Sequence, residues 1–149
     1  MTPLSVVKGN RAETAKNLEA ANAARALCVY TITICKSEKN FPKRNRWLLT
    51  QPIVEQSVKA YTHIRKANAI KVIAWDDYKL RRKHQIKART CYEAMLGLID
   101  IAYEVLGENG VNIEHWVKLT TQAENILAAW RASDCKRYKE LKDIPAQEA

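Results

Sequence analysis

Eleven cationic side chains stand out by type and spacing. Lys43, Arg44 and Arg46 form one run, Arg65 and Lys66 a second, and Lys79, Arg81, Arg82, Lys83, Lys87 and Arg89 a third. Lysine and arginine stay charged at neutral pH and offer only hydrogen-bond donors, so grouped in this way they suit phosphate oxygens. Such contacts weaken with salt and are largely indifferent to base sequence. In the third run Lys79, Arg82, Lys83 and Lys87 follow three- and four-residue steps, which put them on one side of a helix. Arg81 and Arg89, eight apart, fall on another side. Asp76 and Asp77 compensate these charges only in part, so the cluster repels itself unless an anion lies against it. Trp47 follows the first run and could stack on a base, although the edge of a core is the place its spacing favours.

The charge balance points the same way. The chain has a net charge of +9 over 149 residues. From Lys43 to Arg89 there are 13 basic and 3 acidic residues, a balance of +10, against 12 basic and 13 acidic elsewhere, a balance of −1. That asymmetry predicts an anionic partner such as nucleic acid, the alternative being a basic face kept for solubility.

Residues able to do bond-breaking chemistry are harder to find. His63, His84 and His115 stand alone, outside any His-Glu-x-x-His or Glu-x-x-His spacing, and read as surface or boundary histidines. None has an arginine four to six residues before it, the arrangement used by the HEPN ribonucleases among small α-bundles. Gly107-Glu108-Asn109-Gly110 lacks the length and the Lys-Ser/Thr of a phosphate-binding loop. Cys28, Cys35, Cys91 and Cys135 are widely spaced and read as buried reduced thiols. The expectation is therefore no catalytic residues, no metal and no cofactor. Met1–Asn10 has no apolar run of a signal peptide, and no window approaches the ~20 apolar residues of a membrane span. A cytoplasmic protein without a membrane partner is expected.

The elements that must carry these residues are helical. Apolar residues make up 47% of the chain, with only four glycines and four prolines, a composition for long helices and short joints. The first helix is predicted over Arg11–Glu38, with Leu18, Ala21, Cys28, Ile32 and Cys35 as its inner row and Ala24, Leu27, Val29 and Ile34 beside it. Pro42 ends it, and the basic run that follows reads as a loop, with Trp47 and Leu48 closing over the core end. The second helix begins near Thr50 or Gln51 with Pro52 in its first turn, and buries Leu49, Ile53, Ala60, Ile64 and Ala67. Asp76 and Asp77 open the third, whose inner row is Ala88, Tyr92, Met95, Ile99, Ala102 and Leu106. Gly107 and Gly110 bracket a tight joint. Asn112 caps the fourth helix, which carries Ile113, Trp116, Ala123, Leu127 and Trp130 inward to about Tyr138, and a frayed tail begins at Lys142. One all-α domain over 1–149, ordered over about 11–140, follows: an antiparallel up-down-up-down four-helix bundle. Trp75, Trp116, Trp130 and Tyr138, with the broad apolar faces of the first and fourth helices, exceed what one slim bundle should bury, so a homo-oligomer is expected.

The stretch Tyr30–Thr50, with Phe41-Pro42-Lys43 ending one helix and Leu49-Thr50 opening the next, resembles a four-helix-bundle family. That family includes proteins encoded in intervening sequences of bacterial large-subunit ribosomal RNA genes. Ala67-Asn68-Ala69, the run Tyr78–Lys83 and the run Trp130–Asp134 are similar to its branch found beside reverse transcriptases, the accessory variability determinants of diversity-generating retroelements. The likeness spans about residues 25–140. It implies a pentameric, basic bundle without catalytic residues that associates with a reverse transcriptase and its template RNA during mutagenic cDNA synthesis. Membership of the ribosomal branch would imply a protein-interaction bundle without the polymerase.

Overall fold

The computed structural model describes residues 11–107 and 112–144. Among them the chain is all-helical, with four long helices and no strand: α1 (Arg11–Cys35), α2 (Gln51–Ala69), α3 (Trp75–Leu106) and α4 (Ile113–Tyr138). Residues 1–10, Gly110 and the end of the expected tail at 145–149 lie outside the described residues. Beyond α4 the chain tightens into a 3₁₀ turn at Lys139–Asp143.

Each helix contributes a buried row that alternates steps of four and three, the period that keeps side chains on one face. The rows are Ala20, Ala24, Leu27, Thr31 and Ile34 on α1 and Ile53, Ser57, Ala60, Ile64 and Ala67 on α2. On α3 the row is Tyr78, Arg81, Gln85, Ala88, Tyr92, Met95, Ile99 and Ala102, and on α4 it is Trp116, Thr120, Ala123, Leu127, Trp130 and Asp134. The α2 and α3 expectations agree with this, and α1 does not. Ile32 and Val29 are exposed, and the α1 row is turned so that Thr31 points inward. The reason is a buried polar contact: the Trp116 indole Nε1 donates to Thr31 Oγ1 at 3.1 Å. A threonine in the inner row conceals the phase of the apolar pattern.

The end contacts follow a consistent sense. Cys28 meets Ser57 while Asn17 meets Asn68, so contacts between α1 and α2 move in opposite directions along the two segments. His63 meets His84 across α2 and α3, Arg81 meets Asp134 across α3 and α4, and Thr31 meets Trp116 across α1 and α4.

The joints depend on specific groups. Lys43–Asn45 forms a 3₁₀ turn and Arg46–Thr50 a π turn that runs into α2, so the basic run is helical and not the expected loop. In α register the Pro52 ring would press on the Leu48 carbonyl, and a wider turn relieves that clash. The turn also sets Trp47 and Leu48 outward, 74% and 76% exposed, so they do not close over the core. Phe41 fills that place, packed edge-on against Trp116 with ring centres 6.1 Å apart. Asp77 reaches back to accept from the Ile73 and Ala74 N–H groups at 3.1 and 3.0 Å, which holds its carboxyl below the usual range. Gly107 ends α3 with φ +73°, a left-handed conformation that a side chain would strain. Asn112 Oδ1 accepts from His115 N–H at 3.1 Å and caps α4 as expected.

Two further expectations change in part. Trp116 and Trp130 are fully buried within the bundle, while Trp75 and Tyr138 are half-buried. The large apolar side chains left exposed are others, among them Val29, Trp47, Leu48, Ile101 and Val105. Cys35 and Cys91 are buried free thiols, but Cys135 is exposed on α4.

Arg81 lies in the inner row of α3 at 4% exposure, and its Nη1 stands 3.3 Å from Asp134 Oδ2. Its Nη2 donates to the Ile70 carbonyl at 2.7 Å, which ties the end of α2 to α3 and α4. Gln85 Nε2 donates to the same Asp134 oxygen at 3.0 Å. Removing one partner leaves the other charged and buried, the costly way to break such a pair. Asp134→Ala should therefore lose about 3–5 kcal/mol in urea unfolding. A loss of about 1 kcal/mol or less would mean that water reaches Arg81.

Candidate nucleic-acid interface

The α2–α3 seam gathers lysines from both helices around two histidines. His63 and His84 each stand one position before an inner-row residue, Ile64 and Gln85, and so reach the rim of the core from opposite sides. Their Nδ1 atoms are 3.1 Å apart and their rings stack with centres at 5.3 Å. A contact between two ring nitrogens needs one N–H and one lone pair, so the two imidazoles hold opposite tautomers. Burial is the first cause that lowers both pKa values from the usual 6.5. His84, Lys66, Lys87 and Lys59 add to it at His63, and Lys66, Lys87 and Lys83 at His84. Four lysines from two helices thus surround a neutral imidazole pair.

Around the α3 side, Lys79, Arg82, Lys83 and Lys87 line one open depression with Ile86 at its base. This is the helical side expected from their spacing. Lys79 also pairs with Asp76 at 3.3 Å, but both side chains are largely exposed and the pair is screened. Arg65 and Lys66 are exposed on α2, and Lys66 faces the histidines. Lys66 is thus brought to the lysines of α3 at one end of the bundle, whereas Arg65, on the other side of Ile64 from His63, is not.

The remaining expected residues go elsewhere. Arg81 is withdrawn from the surface set: at 4% exposure, and bonded to Asp134 and Ile70, it cannot meet a phosphate. Its guanidinium also lies over the rings of Trp130 and Tyr138, at 5.9 and 5.7 Å. Arg89 is exposed and turned toward α4, where it bears on Glu124 and Arg131. Lys43, Arg44 and Arg46 are exposed beside Trp47 at the opposite end. Phe41 places that end level with Trp116, whereas Arg81 is level with Asp134, 18 residues further along α4. At 1.5 Å per residue the two basic regions are about 27 Å apart along the bundle.

Lys59, the histidine pair and Arg131 were not legible as site residues. A signal for the pair did exist: a helical hairpin turning near residue 73 sets position 63 beside position 84. On the α3–α4 face Glu124 is pushed up to about 7, first by desolvation, then by a hydrogen bond to Glu93 and by its charge. Arg89 opposes that shift. Among the described residues, no group of three or more His, Cys, Asp and Glu side chains could hold a metal ion, and no helix is long and apolar enough to cross a membrane.

The chain matches no family model, no curated protein and no solved structure. Its reading rests on the residues and their geometry.

Because folding lowers the pKa of both histidines, the unfolded chain takes up protons first as pH falls below 6.5. The contribution of the neutral pair to stability is complete above that value and declines in acid. The double variant His63→Gln/His84→Gln should have a flatter dependence of Tm on pH below 6.5. An unchanged slope would show that the pair does not titrate with folding.

Proposed function

We propose that this chain is a non-catalytic, RNA-binding accessory bundle. In this reading it holds a reverse transcriptase and its template RNA, or the cDNA made on it, in the manner of the accessory variability determinants of diversity-generating retroelements. The observation that carries the RNA part is the α2–α3 seam, where Lys59, Lys66, Lys83 and Lys87 crowd a neutral histidine pair beside the Lys79–Arg82 depression. Clustered cations without matching carboxylates are favourable only against an anion, and a line of phosphates supplies one. The polymerase partner is supported by the resemblance around Phe41-Pro42-Lys43 and Leu49-Thr50. The bundle is taken as antiparallel, up-down-up-down, acting in the cytoplasm as a homo-oligomer, a pentamer by that resemblance.

Trp47, now exposed beside Lys43, Arg44 and Arg46, gives the far end a stacking surface for a base. The same end supports a second reading, a protein-interaction bundle of the ribosomal intervening-sequence kind. Val29, Trp47, Leu48, Ile101 and Val105 are apolar and exposed there, as a protein interface would need.

A mobility-shift titration with single-stranded RNA separates the two. In the first reading Lys66→Glu/Lys83→Glu/Lys87→Glu weakens binding by about tenfold or more at moderate salt, and the slope of log K against log salt falls by about 2. Unchanged RNA binding in that variant, with a salt-insensitive protein complex, would favour the second reading. Light scattering should give a mass well above the 17.0 kDa of one chain, and a mass of 17.0 kDa would overturn the homo-oligomer.

A further inference from the structure

A second groove, which shares Arg82 with the depression beside the α2–α3 seam, runs between the first half of α3 and the last half of α4, with a volume of about 340 Å³. It exists because α4 turns two small residues, Ala128 and Ala132, toward it at one four-residue step. Tyr78 and Arg82 from α3 and Arg131 and Cys135 from α4 complete its walls. The nearby carboxylate of Asp134 is engaged by Arg81 and Gln85.

The groove is cationic without a counter-charge. Arg82 and Arg131 make no ion pair among the described residues. Arg131 Nε is buried and has no hydrogen-bond partner there. Burial, then Arg89 and Arg82, hold the Arg131 guanidinium below its usual pKa, which places three arginines within each other's field. Like charges this close are unfavourable unless a ligand supplies acceptor oxygens between them. Planar guanidinium forks match the oxygens of a phosphate group, and two forks can hold one such group from two sides. The volume exceeds what an ion alone fills and suits a phosphate ester. Tyr78, a neutral phenol beside Cys135 in the wall, can add a further donor.

We propose that the α3–α4 groove is a phosphate-binding site in which Arg82 and Arg131 grip the phosphate oxygens. The phosphate is either a free phosphate ester or one phosphodiester of a nucleic acid chain. Apart from Arg82 its residues are not those of the seam, and it does not require the seam to bind RNA.

Cys135, exposed on the rim, reports on occupancy, and half-buried Cys28 on α1 serves as an internal reference. Alkylation by neutral iodoacetamide, read peptide by peptide by mass spectrometry, compares inorganic phosphate with chloride at matched ionic strength. Saturating phosphate should slow Cys135 relative to Cys28 by about threefold or more. Arg131→Gln and Arg82→Gln should each remove that protection, with circular dichroism confirming the fold; Arg82 is exposed, so its variant keeps the test open should Arg131→Gln destabilise the helix pair. Equal rates in phosphate and chloride would sink the proposal, as would protection that survives in both variants. A short oligouridylate assigns the source: protection by both probes indicates a chain phosphodiester, and protection by inorganic phosphate alone a free ester. The charge reversals on the seam leave this protection intact, so loss of seam binding and loss of this site are separate results.

Discussion

The ion pair between Arg81 and Asp134 is the constraint on which this end of the bundle depends. Both side chains occupy inner-row positions that apolar residues fill elsewhere, and both are almost fully buried. A charge in such a place is tolerated only when it is paired and its remaining donors are met. Gln85 and the Ile70 carbonyl help to meet that need, and together they fix α2, α3 and α4 relative to one another. The apolar alternation could tolerate small errors of rotation. This network tolerates almost none, because a displaced partner leaves a bare charge in the core.

One consequence is electrostatic. Arg81 is neutralised inside, so the basic character of α3 is carried by the residues on either side of it in the helical wheel. Lys83 and Lys87 bear on the histidines shared with α2, Lys79 lies on the outer side of α3, and Arg82, Arg89 and Arg131 bear on the α4 side. The buried pair thus divides one stretch of cations into two surfaces. The seam is rich in lysine and holds neutral histidines, and the groove is rich in arginine and has a defined volume. Lysine suits diffuse attraction to a polyanion, and arginine suits a directed grip on one group.

The long axis matters as well. The turn at Lys43–Thr50 presents a second basic set beside exposed Trp47 and Leu48, near the exposed Ile101 and Val105 at the end of α3. The two ends of the bundle therefore offer different chemistry, one mainly cationic and the other cationic with an apolar component. A ligand that used both would have to span the length of the bundle.

Much of this was legible in the residues. The alternation of threes and fours from Ala88 to Ala102, the position of Pro52, and Asn112 as a cap are local signals, and local geometry enforces them. So did the spacing that puts Lys79, Arg82, Lys83 and Lys87 on one side. The same alternation, carried back from Ala88, passes through Gln85 and Arg81, and on α4 it reaches Asp134. It was missed because charge outweighs period when a row is read by hydropathy. The fate of Trp47, the inward turn of Thr31 and the meeting of His63 with His84 could not be read locally. Each depends on a partner tens of residues away, such as Trp116 for Thr31 or the far side of a hairpin for His63. The sequence by itself determined the helices, their buried periods and the concentration of positive charge between Lys43 and Arg89. Only the tertiary structure decided which cations face water, because burial is settled by what packs opposite and not by residue type.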